Sequence, residues 1–235
     1  MYFAPLMISV QEQIARYLRQ QKEQYGDALF ISRSRNVTRA EAVIEIMRTD
    51  WENSSTLGDL YENIHECINC PLGKTRTKFV FGSGNVSADL MVIGEAPGAD
   101  EDQQGLPFVG RAGQLLTKIL ESIGLNRDDV YICNILKCRP PNNRKPLISE
   151  TDECEPYLIK QIEFIKPRFI LALGLTSANT LLKNKESMTS LRGRKHDYHG
   201  ISTIVTYHPA ALLRNPEWKK ATWEDMKFLR SLMSV

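Results

Sequence analysis

Arg168–Gly174, Arg-Phe-Ile-Leu-Ala-Leu-Gly, is apolar from its second residue to its sixth and ends on glycine. A strand with one wet face would alternate polar and apolar residues, so a run this continuous reads as a strand covered on both sides. Three more β-branched runs resemble it: Asp89–Gly94 (DLMVIG), Asp129–Ile135 (DVYICNI) and Ile201–Tyr207 (ISTIVTY). Helical patterns lie between them. Residues 111–123 align Leu115, Leu116, Ile119, Leu120 and Ile123 on one face. Residues 149–165 align Cys154, Leu158, Ile162 and Ile165, with Ser149 and Asp152 in capping-box positions. A shorter helix fits 176–183, and a last one fits 217–232 with Trp218, Ala221, Met226, Leu229 and Met233 inward. Strands alternating with helices predict a three-layer α/β/α domain around a central four-stranded parallel sheet.

The chain has 235 residues, 42% of them hydrophobic and 25% charged, enough for a sizeable core and incompatible with disorder throughout. No apolar run approaches the roughly 18 residues that span a bilayer. The opening MYFAPLMISVQEQ has neither the basic n-region nor the apolar h-region of a secretory signal, so an intracellular protein is expected. Residues 1–55 read as an N-terminal helical extension: an amphipathic helix over 8–25, a basic loop from Arg33 to Arg39, and a capping box at Thr38 and Glu41. After the polar break Glu52-Asn53-Ser54-Ser55 a helix starts at Thr56, and 56–235 forms the α/β domain. The net charge of +2 names no partner, but its distribution points to nucleic acid. Residues 183–235 hold ten Lys/Arg against five Asp/Glu, and Lys137, Arg139, Arg144 and Lys145 share a loop with no acid among them.

Open parallel sheets bind ligands beyond the carboxyl ends of their strands. Those ends carry Gly94-Glu95-Ala96-Pro97-Gly98-Ala99-Asp100-Glu101-Asp102, then Asn134, Gly174, and His208-Pro209-Ala210-Ala211-Leu212. A Gly/Pro loop, an amide, an imidazole and several carboxylates therefore converge on one rim. Cys67-x-x-Cys70, Cys138 and Cys154 form a second constellation, able to supply four thiolates. Their spacing does not choose between zinc and an iron–sulfur cluster. Cys133, inside a strand, reads as a small core residue.

Taken together, Gly94–Asp102, Phe108-Val109-Gly110-Arg111, Asn134 ahead of Lys137-Cys138-Arg139-Pro140-Pro141, and His208–Leu212 closely resemble family 4 uracil-DNA glycosylases, from about Leu57 to the C-terminus. The resemblance implies removal of uracil from DNA by hydrolysis of the N-glycosidic bond, and a [4Fe–4S] cluster on Cys67, Cys70, Cys138 and Cys154. A flipped uracil would stack on Phe108 and be read at its edge by Asn134, with Gly94, Glu95 and Ala96 around it. His208 would stabilise charge at O2. Glu95 would close the pocket near C5, and Glu101 would orient the water or hold the loop. Ala96 stands where the best-known branch of the superfamily has an aspartate, which leaves the water activator unassigned. Leu212 or Leu213 would wedge into the vacated stack ahead of Arg214, while Lys137, Arg139, Arg192, Arg194 and Lys195 would contact phosphates. His65, His196 and His199 are expected to be solvated.

The alternative is a non-catalytic iron–sulfur or zinc nucleic-acid-binding module. An electron-transfer protein would show ferredoxin-like cysteine spacing, which is missing. No histidine lies within Pro140–Ser149, so the covalent sugar-trapping branch of the superfamily does not fit. A monomer without membrane association is expected. Gln11-x-x-Ile14-x-x-Tyr17-Leu18 imperfectly matches the peptide by which repair proteins dock on the sliding clamp, although any amphipathic helix packed on its own domain shows the same stripe.

Overall fold

The computed structural model describes residues 50–234. The proposed extension and its clamp-like peptide at Gln11–Leu18 therefore lie outside the described residues, apart from the extension's last few positions. Of these, Asp50–Asn53 forms a 3-10 turn whose Trp51 meets Tyr157 edge-on at 5.0 Å between ring centroids.

Four strands run parallel: β2 (Leu90–Gly94), β3 (Tyr131–Asn134), β4 (Phe169–Leu173) and β6 (Ile201–Thr206). They correspond to the four expected runs. The sheet nevertheless has six strands, in the order β1-β3-β2-β4-β6-β5, because β1 (Ser83–Gly84) and β5 (Lys195–Tyr198) add antiparallel edges. Neither edge carries the apolar run that marks a buried strand. β1 is two residues long, and β5 reads Lys-His-Asp-Tyr, charged as an edge strand should be.

Side chains alternate across the continuous apolar strands and serve both faces. Met91, Ile93, Tyr131, Cys133, Ile170 and Ala172 pack under α4 (Ile148–Ile165) and α5 (Leu175–Leu182). Leu90, Val92, Ile132, Leu171, Leu173 and Ile204 pack under α3 (Arg111–Glu121) and α8 (Lys219–Met233). Each fully buried aliphatic side chain contributes about 1.5–3 kcal/mol. Cys133 is fully buried in the first of these cores.

A third cluster joins α1 (Leu57–Ile64) to the start of α4 through Leu60, Ile64, Leu72, Leu136, Cys138, Cys154 and Tyr157. Thr56 caps α1 as expected, accepting from Asp59 N–H at 3.0 Å while the Asp59 carboxylate accepts from Thr56 N–H at 3.1 Å. The cap of α4 differs from expectation. Its first turn is held by Glu150, whose carboxylate accepts from Leu147 N–H at 2.8 Å, and not by Ser149 with Asp152. Three short α-helices complete the set among the described residues: α2 (Ala99–Gln104), α6 (Met188–Leu191) and α7 (Pro209–Arg214). Among the described residues no helix is long and apolar enough to cross a membrane.

β2 lies between β3 and β4, so the chain leaves it first to one side and later to the other. The crevice at that switch is where a doubly wound sheet takes its ligand.

Candidate active site

A cavity of about 390 Å³ opens at this point, with Glu95, Glu101, Phe108, Asn134, Arg144, His208 and Arg214 in its wall. The sheet register sets Gly94 directly opposite Asn134. A Cβ at Gly94 would collide with Asn134 Oδ1 and reach within 2.7 Å of Phe108 Cζ, so the amide and the ring approach only because residue 94 has no side chain. Asn134 is 1% exposed, and its Oδ1 is buried without a hydrogen-bond partner. Leaving such an oxygen unmet costs about 1–3 kcal/mol, which a ligand donor would recover.

Phe108 holds a left-handed φ of 52°, a strained conformation for an aromatic residue. Glu101 on α2 secures it. Its carboxylate accepts from Gly98 N–H (3.1 Å), Val109 N–H (3.0 Å) and Gly110 N–H (3.1 Å), clamping the chain on either side of the ring. Of the two roles expected of Glu101, loop holding is the one these bonds serve.

His208 caps α7 by accepting from Ala210 N–H at Nδ1, 3.1 Å away. The neutral ring therefore carries its proton on Nε2. Burial, with Arg214 nearby, pushes its pKa down to about 4, so it is an uncharged donor at neutral pH. Its ring stands 5.6 Å from that of Phe108, tilted by 32°.

The four cysteines of the expected set gather at the third core cluster, Cys138 and Cys154 buried in it and Cys67 and Cys70 packed against it. Three of their sulfurs meet a protein group at 3.4 Å: Cys67 faces Tyr157 OH, Cys138 accepts from Arg76 Nη1, and Cys154 accepts from the Lys137 amide. Burial pushes the Cys138 thiol up to about 11 and Cys154 up to about 12. Among the described residues no three Cys, His, Asp or Glu side chains close on a single-ion site. The set is soft and all-sulfur, the donor chemistry of zinc or of an iron–sulfur cluster.

A family model for the Uracil DNA glycosylase superfamily matches residues 81–227. The chain is 46% identical over 180 residues to the type-4 uracil-DNA glycosylase of Pyrobaculum aerophilum, covering 72% of this chain and 91% of that protein. It is 44% identical over 176 residues to the type-4 enzyme of Thermotoga maritima, covering 73% and 92%. The type-5 uracil-DNA glycosylase of P. aerophilum is more distant, 34% identical over 146 residues that cover 55% of this chain and 64% of that one. The chain belongs to the type-4 uracil-DNA glycosylases.

Several expected DNA contacts of this type-4 chain are relocated. Lys137 is fully buried and cannot meet a phosphate; its Nζ donates to Asn134 O (2.8 Å) and Gln161 Oε1 (2.5 Å). Arg192 is engaged by Asp225, Nε to Oδ2 at 2.7 Å and Nη2 to Oδ1 at 3.0 Å, and lies over the Tyr207 ring. Leu212 is fully buried, which removes it as a wedge, whereas Leu213 beside it is exposed. Arg194 is exposed and paired with Glu186 at 2.6 Å, and Lys195 is exposed on β5. Arg139 Nε donates to Asn143 Oδ1 at 2.8 Å. His196 is half-buried, with a ring nitrogen 2.7 Å from Leu191 O, so it is not simply solvated.

Arg144 was absent from the expected site, yet it lines the cavity. Buried Glu150 grips it with both carboxylate oxygens, at 2.9 and 2.5 Å. The sequence signal was an acid six residues beyond an arginine in an otherwise basic loop.

Proposed function

We propose that the chain is a DNA repair enzyme that excises uracil by hydrolysing its N-glycosidic bond and leaves an abasic site. The observation that carries this reading is the unpaired Asn134 Oδ1, buried beside the Phe108 ring at the switch point of the sheet. A uracil taken out of the stack stacks on Phe108. Asn134 Oδ1 accepts from N3–H and its amide donates to O4. Cytosine offers the opposite pattern and leaves both groups mismatched, which gives large discrimination. As the bond to the sugar breaks, negative charge builds on the base. His208 donates from Nε2 to O2, together with the backbone amides of Glu95 and Ala96. One such donor is typically worth about 10²–10³ in rate. Because Glu101 is spent on backbone amides, Glu95 is the carboxylate left to meet the water or to close the pocket at C5.

Leu213 fills the vacated stack, and Arg139, Arg144 and Arg214 face the phosphates. Cys67, Cys70, Cys138 and Cys154 hold a [4Fe–4S] cluster, which supplies folding energy rather than chemistry to the site. They tie the segment before β2 to the loop after β3 and to α4. Gln11–Leu18 is proposed as a clamp-docking peptide on its sequence alone.

The test is incubation of purified protein with an oligonucleotide containing one uracil, followed by alkali. Strand cleavage at uracil, and none at cytosine or thymine, supports the reading. Binding without release would make the chain a non-catalytic module. Yellow-brown protein absorbing near about 400 nm supports the cluster, and colourless protein with stoichiometric zinc replaces it with zinc.

A further inference from the structure

We propose that Lys137 is a positioning residue for base reading, its Nζ fixing the peptide from which the Asn134 side chain projects. This inference rests on the uracil reading above and adds a residue to it.

Lys137 is the largest side chain to be fully buried among the described residues. Its Nζ donates to the carbonyl of Asn134 at 2.8 Å and to Gln161 Oε1 at 2.5 Å. Gln161, also fully buried, is itself oriented: its Nε2 donates to Phe81 O at 3.0 Å and to Tyr131 OH at 3.3 Å. Asn134 is the last residue of β3, and the chain bends at the residue after it. Beyond the strand, Ile135 N–H and Leu136 N–H still bond to Gly94 O and Glu95 O. The Asn134 carbonyl is held from its other side by the lysine. Rotation of that peptide would move the side chain against the uracil edge, and displacements near 1 Å are enough to impair a site. The same residue donates its backbone N–H to Cys154 Sγ, so one residue touches both the base reader and the cysteine set.

Burying a lysine is costly, and an apolar side chain of similar volume would often stabilise the fold as well or better. A buried Nζ donor fixed on the backbone of the reading residue instead specifies one arrangement of it.

The experiment compares Lys137→Met and Gln161→Met with the wild type in four readouts: kcat and KM on uracil DNA, inhibition by free uracil, affinity for abasic-site DNA, and absorbance near about 400 nm. Wild-type uracil release and inhibition by uracil test the underlying reading separately from the variants. Lys137→Met is expected to weaken uracil inhibition and lower kcat by about tenfold each, and Gln161→Met by about threefold. Abasic-site affinity and absorbance should stay within about twofold of wild type. Unchanged uracil inhibition in a folded variant overturns the proposal, as does a loss of uracil binding that merely tracks lost absorbance. If Lys137→Met does not fold, the Gln161→Met result decides by the same criteria.

Discussion

Two polar clusters flank the end of β6, and they are built on opposite rules. On one side Asp225, 1% exposed, is saturated: it accepts from Arg192 through both oxygens and from Thr206 Oγ1 at 2.7 Å. On the other, two residues beyond Thr206, His208 lines a cavity in which the buried Asn134 Oδ1 has no partner. Tyr207 separates them, stacked on Trp218 at 4.6 Å and covered by Arg192. Both clusters are polar and sunk in the fold. The saturated one fixes the chain that carries His208, and the unsaturated one keeps its bonding capacity for something that arrives. A polar group's unfinished bonds, more than its burial, separate a site from a support.

The largest effect should come from breaking the saturated side. Asp225→Ala leaves half-buried Arg192 without its acid and should cost up to about 3–5 kcal/mol in denaturant unfolding, with activity per folded molecule retained. A loss of activity without a loss of stability would erase the distinction. His208→Ala should do the reverse, lowering uracil excision by about 10²–10³-fold while costing no more than its cap on α7, about 0.5–2 kcal/mol. Adjacent Leu212 and Leu213 repeat the contrast on α7. Leu212→Ala should destabilise by about 2–5 kcal/mol. Leu213→Ala should leave stability alone and slow excision from duplex more than from single-stranded DNA, by about tenfold.

The smallest expected effect is on pH dependence. With the His208 pKa lowered to about 4 from 6.5, the donor stays neutral well below pH 6.5. Its contribution to kcat should be flat through that value and change only toward pH 4. The unfolded chain takes up this proton near 6.5 and the folded chain only near 4, so His208 lowers stability as pH falls through that window. A fall in kcat centred near 6.5 in a stably folded enzyme would show a charged imidazole at work.

The parallel strands were legible because burial on both faces leaves no polar alternation, as in Phe169–Leu173 and Leu90–Gly94. The rim was legible for a related reason: Gly94, Asn134 and His208 stand at strand ends, and strand ends were readable. The edges were not. Ser83–Gly84 is too short to carry a period, and Lys195–Tyr198 is polar because an edge strand must be.

Charge was the weakest guide. Lys137, Arg139, Arg144, Arg192 and Arg194 look alike as letters, and sequence alone made four of them phosphate contacts. Whether a cation meets water depends on partners far along the chain: Lys137 finds Gln161, and Arg192 finds Asp225. Alternation, strand ends and cysteine identity are local or compositional, so the amino-acid order alone determined the parallel layer, the loops that meet at its rim and an all-thiol set. Which leucine of two is exposed and which lysine turns inward to hold Asn134 are settled by contacts across tens of residues, and only the folded chain brings those together.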